Sequence, residues 1–364
     1  MRKGLLASVL VSAAVFPAVA AGQRAIAQRQ EGALPSAPAA PIQPHPATQD
    51  PKRLVTDTQM RQWEQQFKNW GRWGKDDQRG TINLITPAKT KAALALVTEG
   101  RSISMHRYPE LTKQVDNMQF GETIHRMANI DPVTNRPRGA VDYVAFGTHD
   151  GTSAHIDALC HYGVWSERAL EEKQHLYNGF PNNLSLKGCA ELGTDKNAAG
   201  AITRGILVDL PLLKGVEYLE PKTPVFAEDL EAWEKFAKVK IGSGDAVFVR
   251  TGRWARRAKL GPWNAAAEAA GLHASVIPWL KQRDIALLGG ETVPDVQPSG
   301  VDGWPRPIHD ILLPIMGTPL VDNGYFEDVA KEAARLKRWE FMVSWSVLRI
   351  PGGTATPFTA LATF

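Results

Sequence analysis

No glycine-rich phosphate loop follows a strand-like run in this chain, and no Gly-x-Ser-x-Gly elbow occurs, which sets aside P-loop nucleotide chemistry and the serine chemistry of α/β-hydrolases. An excess of one charge is also missing. Lys and Arg number 42 against 38 Asp and Glu, for a net charge of +4, and no run of basic residues occurs. That excludes the electrostatic footprint of a nucleic-acid binder. After residue 21 no apolar run is long enough to cross a bilayer, and no internal repeat is present. Cysteine is reduced to Cys160 and Cys189. In an oxidising compartment they can pair, but Cys160 sits among histidines and reads as a small buried packing residue. Histidine is scarce too, at nine residues in 364.

What remains has a clear order. Met1-Arg2-Lys3, an apolar stretch from Gly4 to Val19, and Ala18-Val19-Ala20 form a secretory signal over residues 1–21, which places the protein in the periplasm or outside the cell. Residues 22–52, rich in Ala, Pro and Gln, read as a disordered linker. Residues 53–364 are then one folded domain; the hydrophobic content of the whole chain, 43%, suits a soluble protein with a core.

The spacing predicts a helix over Thr56 to Trp70 and another opened by Thr86 and Pro87 and stopped by Gly100. Strands are predicted at Arg101 to Met105, Val141 to Phe146, Arg204 to Leu210, Ala246 to Thr251, Asp284 to Leu288 and Phe341 to Leu348. Helices are predicted at Ala227 to Phe236, Ala265 to Ala270, Ala274 to Gln282 and Phe326 to Leu336. The pattern is that of one mixed α/β domain.

The scarce histidines are concentrated. His149, Asp150, His155, Asp157 and His161 fall within thirteen positions. Imidazole and carboxylate are the common ligands of zinc and other first-row divalent metals. In an extended segment His155 and Asp157 face the same side, and a helical turn over Ala158 to His161 would point His161 back at them. Gly147 and Gly151 allow sharp turns around His149.

The segment His155-Ile156-Asp157-Ala158-Leu159-Cys160-His161 resembles the second half of the signature His-x-Gly-Thr-His-x-Asp-x-Pro-x-His of the putative cyclase family, which includes bacterial kynurenine formamidases and isatin hydrolases. Leu159 stands in place of the usual Pro. The first half differs. The position four before His155 is Gly151, and His149 lies six before it. Either the loop carries two extra residues and His149 remains a ligand, or the first ligand is lost and Asp150 is a candidate substitute. Residues 80–87 resemble the opening of larger family members, and Arg204 to Asp209 and Gly244 to Gly252 resemble later strands. Gly289-Gly290-Glu291-Thr292 is similar to the family's Gly-x-Asp-Thr turn. Pro307-Ile308-His309 and Val321-Asp322-Asn323 resemble its distal histidine and acidic pair.

The resemblance implies an α/β swivelling β/β/α domain with a mixed sheet around a small β-barrel, in homodimers or homotetramers. It implies His149, His155, Asp157, His309 and Asp322 as ligands of Zn or Mn, as one or two ions, and His161 as the catalytic acid–base. The expected reaction is hydrolysis of an amide, lactam or formamide C–N bond of a small, aromatic substrate. The alternatives are a metal-dependent lyase, dehydratase or cyclase, and a non-catalytic periplasmic binding protein. No nucleic acid and, after signal cleavage, no membrane partner is expected. Trp70, Trp73, Trp165 and Trp304 are candidate pocket walls.

Overall fold

The structure, a computed structural model, describes residues 42–117, 124–131, 133–145, 147–167, 174–185 and 187–364. The expected signal segment and most of the expected linker lie outside them. The described residues nevertheless begin upstream of the expected boundary. Pro46–Gln49 form a 3-10 turn capped by the His45 imidazole. Thr48 is fully buried, and Gln49 Nε2 donates to the carbonyl of Gly300 at 3.0 Å. The disordered reading therefore fails for residues 46–49, because one small side chain and one amide bond anchor a segment whose composition alone looks unfoldable.

Among the described residues thirteen strands follow in chain order: β1 (Ser102–Ser104), β2 (Ile124–Ile130), β3 (Pro137–Val144), β4 (His155–Asp157), β5 (Ala201–Asp209), β6 (Pro224–Val225), β7 (Ala246–Arg250), β8 (Gly271–Leu272), β9 (Leu287–Gly290), β10 (Leu320–Asp322), β11 (Glu340–Trp345), β12 (Ala355–Pro357) and β13 (Leu361–Thr363). Nine of them form one mixed sheet in the order β1-β13-β11-β5-β7-β9-β10-β4-β12. It curls into a half-barrel, with β1 and β12 at its two ends rather than joined.

The centre, β5-β7-β9-β10, is parallel. Parallel strands are covered on both faces and so read as unbroken apolar runs. Ile206, Leu207 and Val208 in β5 and Val247 and Phe248 in β7 are buried accordingly. Outside this centre the sheet is antiparallel, and β11 shows the alternation expected of a one-sided strand, with Phe341, Val343 and Trp345 buried.

Most predicted elements form with shifted ends. Thr56 caps the helix Asp57–Gln66, which buries Met60 and Trp63. Thr86 caps Pro87–Leu94, accepting from Lys89 N at 3.2 Å. Helices also form at Ala227–Ala237, Arg253–Leu260, Ile277–Arg283, Pro307–Ile311 and Glu327–Leu336.

One expectation fails locally. Residues 265–270 form a single turn rather than a helix, because Ala269 exchanges backbone hydrogen bonds with Gln297 and the chain passes straight into β8. The strand predicted at Val141 to Phe146 forms as the end of β3, paired with β2, with residue 146 outside the described residues. Its Val141, Tyr143 and Val144 side chains are exposed.

Candidate metal centre

The centre is assembled on β4, which lies between β10 and β12 in antiparallel register. His155 and Asp157 project from one face of this strand and Ile156 from the other. His155 is the register partner of Asp322, and directly opposed side chains on one face are neighbours. Asp322 is also the last residue of β10, at the carboxyl end of the parallel strands, where open α/β sheets bind ligands. His309 arrives from the helix Pro307–Ile311, which starts on proline and is entirely buried.

These elements bring all six expected side chains together. Asp157 is the hub. Its Oδ1 lies 3.3 Å from His149 Nε2 and 3.6 Å from His155 Nε2. Its Oδ2 lies 3.6 Å from His309 Nε2 and 4.0 Å from His161 Nε2. Asp322 is 3.6 Å from His309 Nε2 and 3.9 Å from His155 Nε2. Two ligand triads result, His149/His155/Asp157 and Asp157/His309/Asp322, each with donor atoms within 4.8 Å of one another. Ligands bound about 2.0–2.2 Å from one cation stand roughly 3–4 Å apart, the spacing found here. His155 Nε2, His309 Nε2, Asp157 Oδ2 and Asp322 Oδ1 are buried without a hydrogen-bond partner. Four such atoms converging on one point fit a divalent cation, because buried polar groups left unpaired are costly.

The outer nitrogens of two histidines are fixed. His155 Nδ1 lies 2.9 Å from the carbonyl of Ser153. His309 Nδ1 lies 2.6 Å from Asp295 Oδ2, while Asp295 Oδ1 accepts from Ile308 N at 2.7 Å. Both pairings make Nδ1 the donor and leave Nε2 as the lone-pair nitrogen facing the centre, an orientation typical of metal-binding histidines.

The electrostatics are mutual. Burial alone would raise the Asp157 carboxyl, but the imidazoles of His161, His149, His155 and His309 hold it below the usual carboxylate range. Burial would lower His309, yet Asp322 and Asp295 raise it well above an ordinary imidazole. His149 is likewise raised against its burial, through its bond to Asp157. His161 goes the other way. Burial pushes it down to about 4, which Asp157 only partly offsets. It is neutral at pH 7 and able to accept a proton.

His149 therefore reaches the centre despite its shifted position. Asp150 does not. Its Oδ1 accepts from Thr152 N at 2.7 Å and Ser153 N at 2.6 Å, and its Oδ2 from Ser153 Oγ at 2.6 Å. That carboxylate shapes the loop between His149 and His155. His161 is carried by a hydrogen-bonded turn, with its N–H donating to Ala158 O at 2.9 Å, not by the expected helix. Cys160 and Cys189 form a disulfide with Cα atoms 6.3 Å apart, which overturns the reading of Cys160 as a free packing residue. The bond ties the residue next to His161 to a segment pinned at Gly352 by Cys189 N.

Glu291 is not a ligand. Its Oε2 accepts from the N–H groups of Thr251, Gly252 and Arg253 at 2.7–3.1 Å, capping the helix Arg253–Leu260. Burial first, and then Glu327, raises its pKa to about 7.

The four candidate tryptophans have other partners. The Trp304 indole is buried and donates to Asp57, with Trp165 5.8 Å away. Trp70 donates to Pro314 O, and Trp73 lies under the Arg72 guanidinium. The aromatic ring that reaches the centre is Tyr162, 5.0 Å from the His161 ring and 5.2 Å from His309. Asp295, Tyr162 and Arg253, whose guanidinium joins Gly151 to Asn323, were not singled out from sequence. The one available signal was Tyr162's position beside His161.

The model of the family described as Putative cyclase matches residues 101–294. A crystal structure described as that of a novel cyclase is 27% identical over 83% of this chain and 99% of its own, with a TM-score of 0.68. Isatin hydrolase A from Labrenzia aggregata, bound to benzyl benzoate, is 17% identical over 72% of this chain and 93% of its own, with a TM-score of 0.48. A protein described as a predicted metal-dependent hydrolase, from Bacillus stearothermophilus, is 13% identical over 72% of this chain and 97% of its own, with a TM-score of 0.40. No curated protein matches the chain significantly.

Proposed function

This chain belongs to the cyclase family, and on that premise we propose that it is an exported metal-dependent hydrolase that cleaves an amide, lactam or formamide C–N bond of a small, aromatic substrate. The observation that carries the reading is the convergence of unpartnered, buried Nε2 and carboxylate oxygen atoms from His155, Asp157, His309 and Asp322. His149 completes the set. Imidazole and carboxylate donors suit Zn or Mn, and the two triads sharing Asp157 take one or two such ions. A bound divalent cation here polarises a carbonyl and lowers the pKa of water toward about 7.

The protein's own groups supply the rest. Asp157, ionised under the influence of the imidazoles, balances the cation's charge. Asp295 and the Ser153 carbonyl keep His309 and His155 in the tautomer that presents Nε2. His161, neutral because it is buried, accepts the proton of the attacking water and returns it to the leaving nitrogen, the two halves of general acid–base catalysis. Tyr162, whose burial raises its pKa, stays a neutral aromatic wall for the substrate ring.

Export is supported by the signal-like N-terminus and by the disulfide, since such bonds persist in oxidising compartments. Assembly as a homodimer or homotetramer is part of the same reading. The test is elemental analysis of protein purified without added metal, together with a panel of amides, lactams and formamides assayed in ¹⁸O-labelled water. Stoichiometric Zn or Mn and solvent oxygen in a carboxylate product are expected. A metal-free protein, or turnover without oxygen incorporation, defeats the proposal.

A further inference from the structure

We propose that Arg253 is a positioning residue for the metal centre: its buried guanidinium locks the loop carrying His149 and His155 to the strand end carrying Asp322. The inference rests on the proposal that the centre holds a divalent cation.

The observations begin with a misplaced charge. Arg253 is the first residue of the helix Arg253–Leu260 and its side chain is 2% exposed. A cation there meets the positive end of the helix dipole and loses its hydration. A chain that tolerates both penalties uses the charge for something. The guanidinium is held by three oxygens. Nη1 donates to Asn323 Oδ1 at 2.5 Å and to the Glu291 carbonyl at 2.8 Å, and Nη2 donates to the Gly151 carbonyl at 2.6 Å. Asp116, 3.6 Å from Nη2, supplies the counter-charge.

Each anchor leads to the ligands. Gly151 lies in the loop between His149 and His155. Asn323 immediately follows Asp322, and its Nδ2 donates to the Ser153 carbonyl at 3.4 Å, the same oxygen that fixes His155 Nδ1. The Glu291 carboxylate in turn holds the backbone N–H of Arg253. The loop has little freedom to compensate. Gly151 has φ +91°, and a Cβ there would stand 2.5 Å from the Asp116 carbonyl. The planar fork of arginine is what spans two segments at once; a lysine ammonium has no such geometry.

The experiment uses the full-length protein stripped of metal and titrated with Co²⁺, reading affinity and the visible d–d spectrum, for wild type, Arg253→Lys and Asn323→Ala. Arg253→Lys is expected to weaken Co²⁺ binding by about 10–100-fold, the usual consequence of losing an outer orienting group, and to shift the d–d bands. Asn323→Ala is expected to weaken binding several-fold in the same direction. Variants that melt at lower temperature yet keep wild-type affinity and spectrum overturn the inference, since Arg253 would then merely support the fold. Should Arg253→Lys not fold, Asn323→Ala decides, with wild-type affinity overturning the inference. A wild type that takes up no Co²⁺ overturns the metal reading and this inference with it. Equal binding by wild type and variants overturns this inference alone.

Discussion

The two halves of the metal centre are held by different means. His155, Asp157 and Asp322 stand on paired strands and His309 on a buried helix; all four are 4% exposed or less. His149 and His161 ride on turns, with side chains 37% and 24% exposed and their rings stacked 4.4 Å apart. Ladder hydrogen bonds and core packing hold β4, β10 and the helix Pro307–Ile311, the kind of rigid support that preorganised ligands require. The turns leave His149 and His161 nearer to solvent. The division suggests that the buried half binds the cation and the turn-borne half completes and works it.

Asp157→Asn gives the strongest test of that division. Asp157 belongs to both triads, so its loss should strip the metal and lower turnover by about 10³-fold or more, the scale of metal-ion catalysis. Elemental analysis of the purified variant checks it. Full metal content in Asp157→Asn would mean that the strand-borne half is not the binding half.

His161→Ala should separate the two roles. Metal content is expected to stay at the wild-type level while kcat falls by about 10²–10⁴-fold, the contribution of a general acid–base. The same assignment has a pH signature. Burial holds His161 neutral down to about pH 4, so its base form persists through the neutral range. In the kcat/KM profile His161 itself should therefore contribute no acid limb near the ordinary imidazole value of about 6.5; a limb at about pH 7 that His161→Ala retains belongs to the metal-bound water. A limb at about 6.5 that disappears in His161→Ala would show that His161 titrates as an ordinary imidazole.

The disulfide probes what steadies the turn-borne half. Replacing Cys160 and Cys189 together by alanine opens a loop of 29 residues, and the chain-entropy estimate for such a loop is about 3–4 kcal/mol. Denaturant unfolding should show a loss of that order. Because Cys160 adjoins His161, kcat should fall further than metal affinity does. Equal losses in both would mean that the bond supports the centre as a whole.

The sequence disclosed two members of the buried half through alternation, since His155 and Asp157 are two apart and a strand places them together. His309 and Asp322 entered only through resemblance, because nothing in their own neighbourhoods announces chemistry. Asp295 and Arg253 were illegible for a physical reason. Each acts through partners from 14 to 102 residues away in sequence, contacts that exist only once the sheet has formed. The cysteines misled because the histidine-rich context of Cys160 outweighed its pairing potential. Residues 265–270 misled because alanine propensity gave way to a backbone bridge with Gln297, tertiary context overriding a weak local preference.

His149→Ala is the mildest substitution and the one that places the boundary between the halves. His149 offers one nitrogen, 3.3 Å from Asp157 Oδ1, from the loop that precedes β4. With four buried donors intact, the cation should remain bound, weakened by about 10–100-fold, in the range reported for perturbing a metal's supporting groups. Titration of the stripped variant against a chelator of known affinity measures this. A loss as complete as that of Asp157→Asn would make His149 part of the binding half despite its exposure. An unchanged affinity would leave it a neighbour of His161 alone, and the loop that carries it would then serve turnover rather than binding.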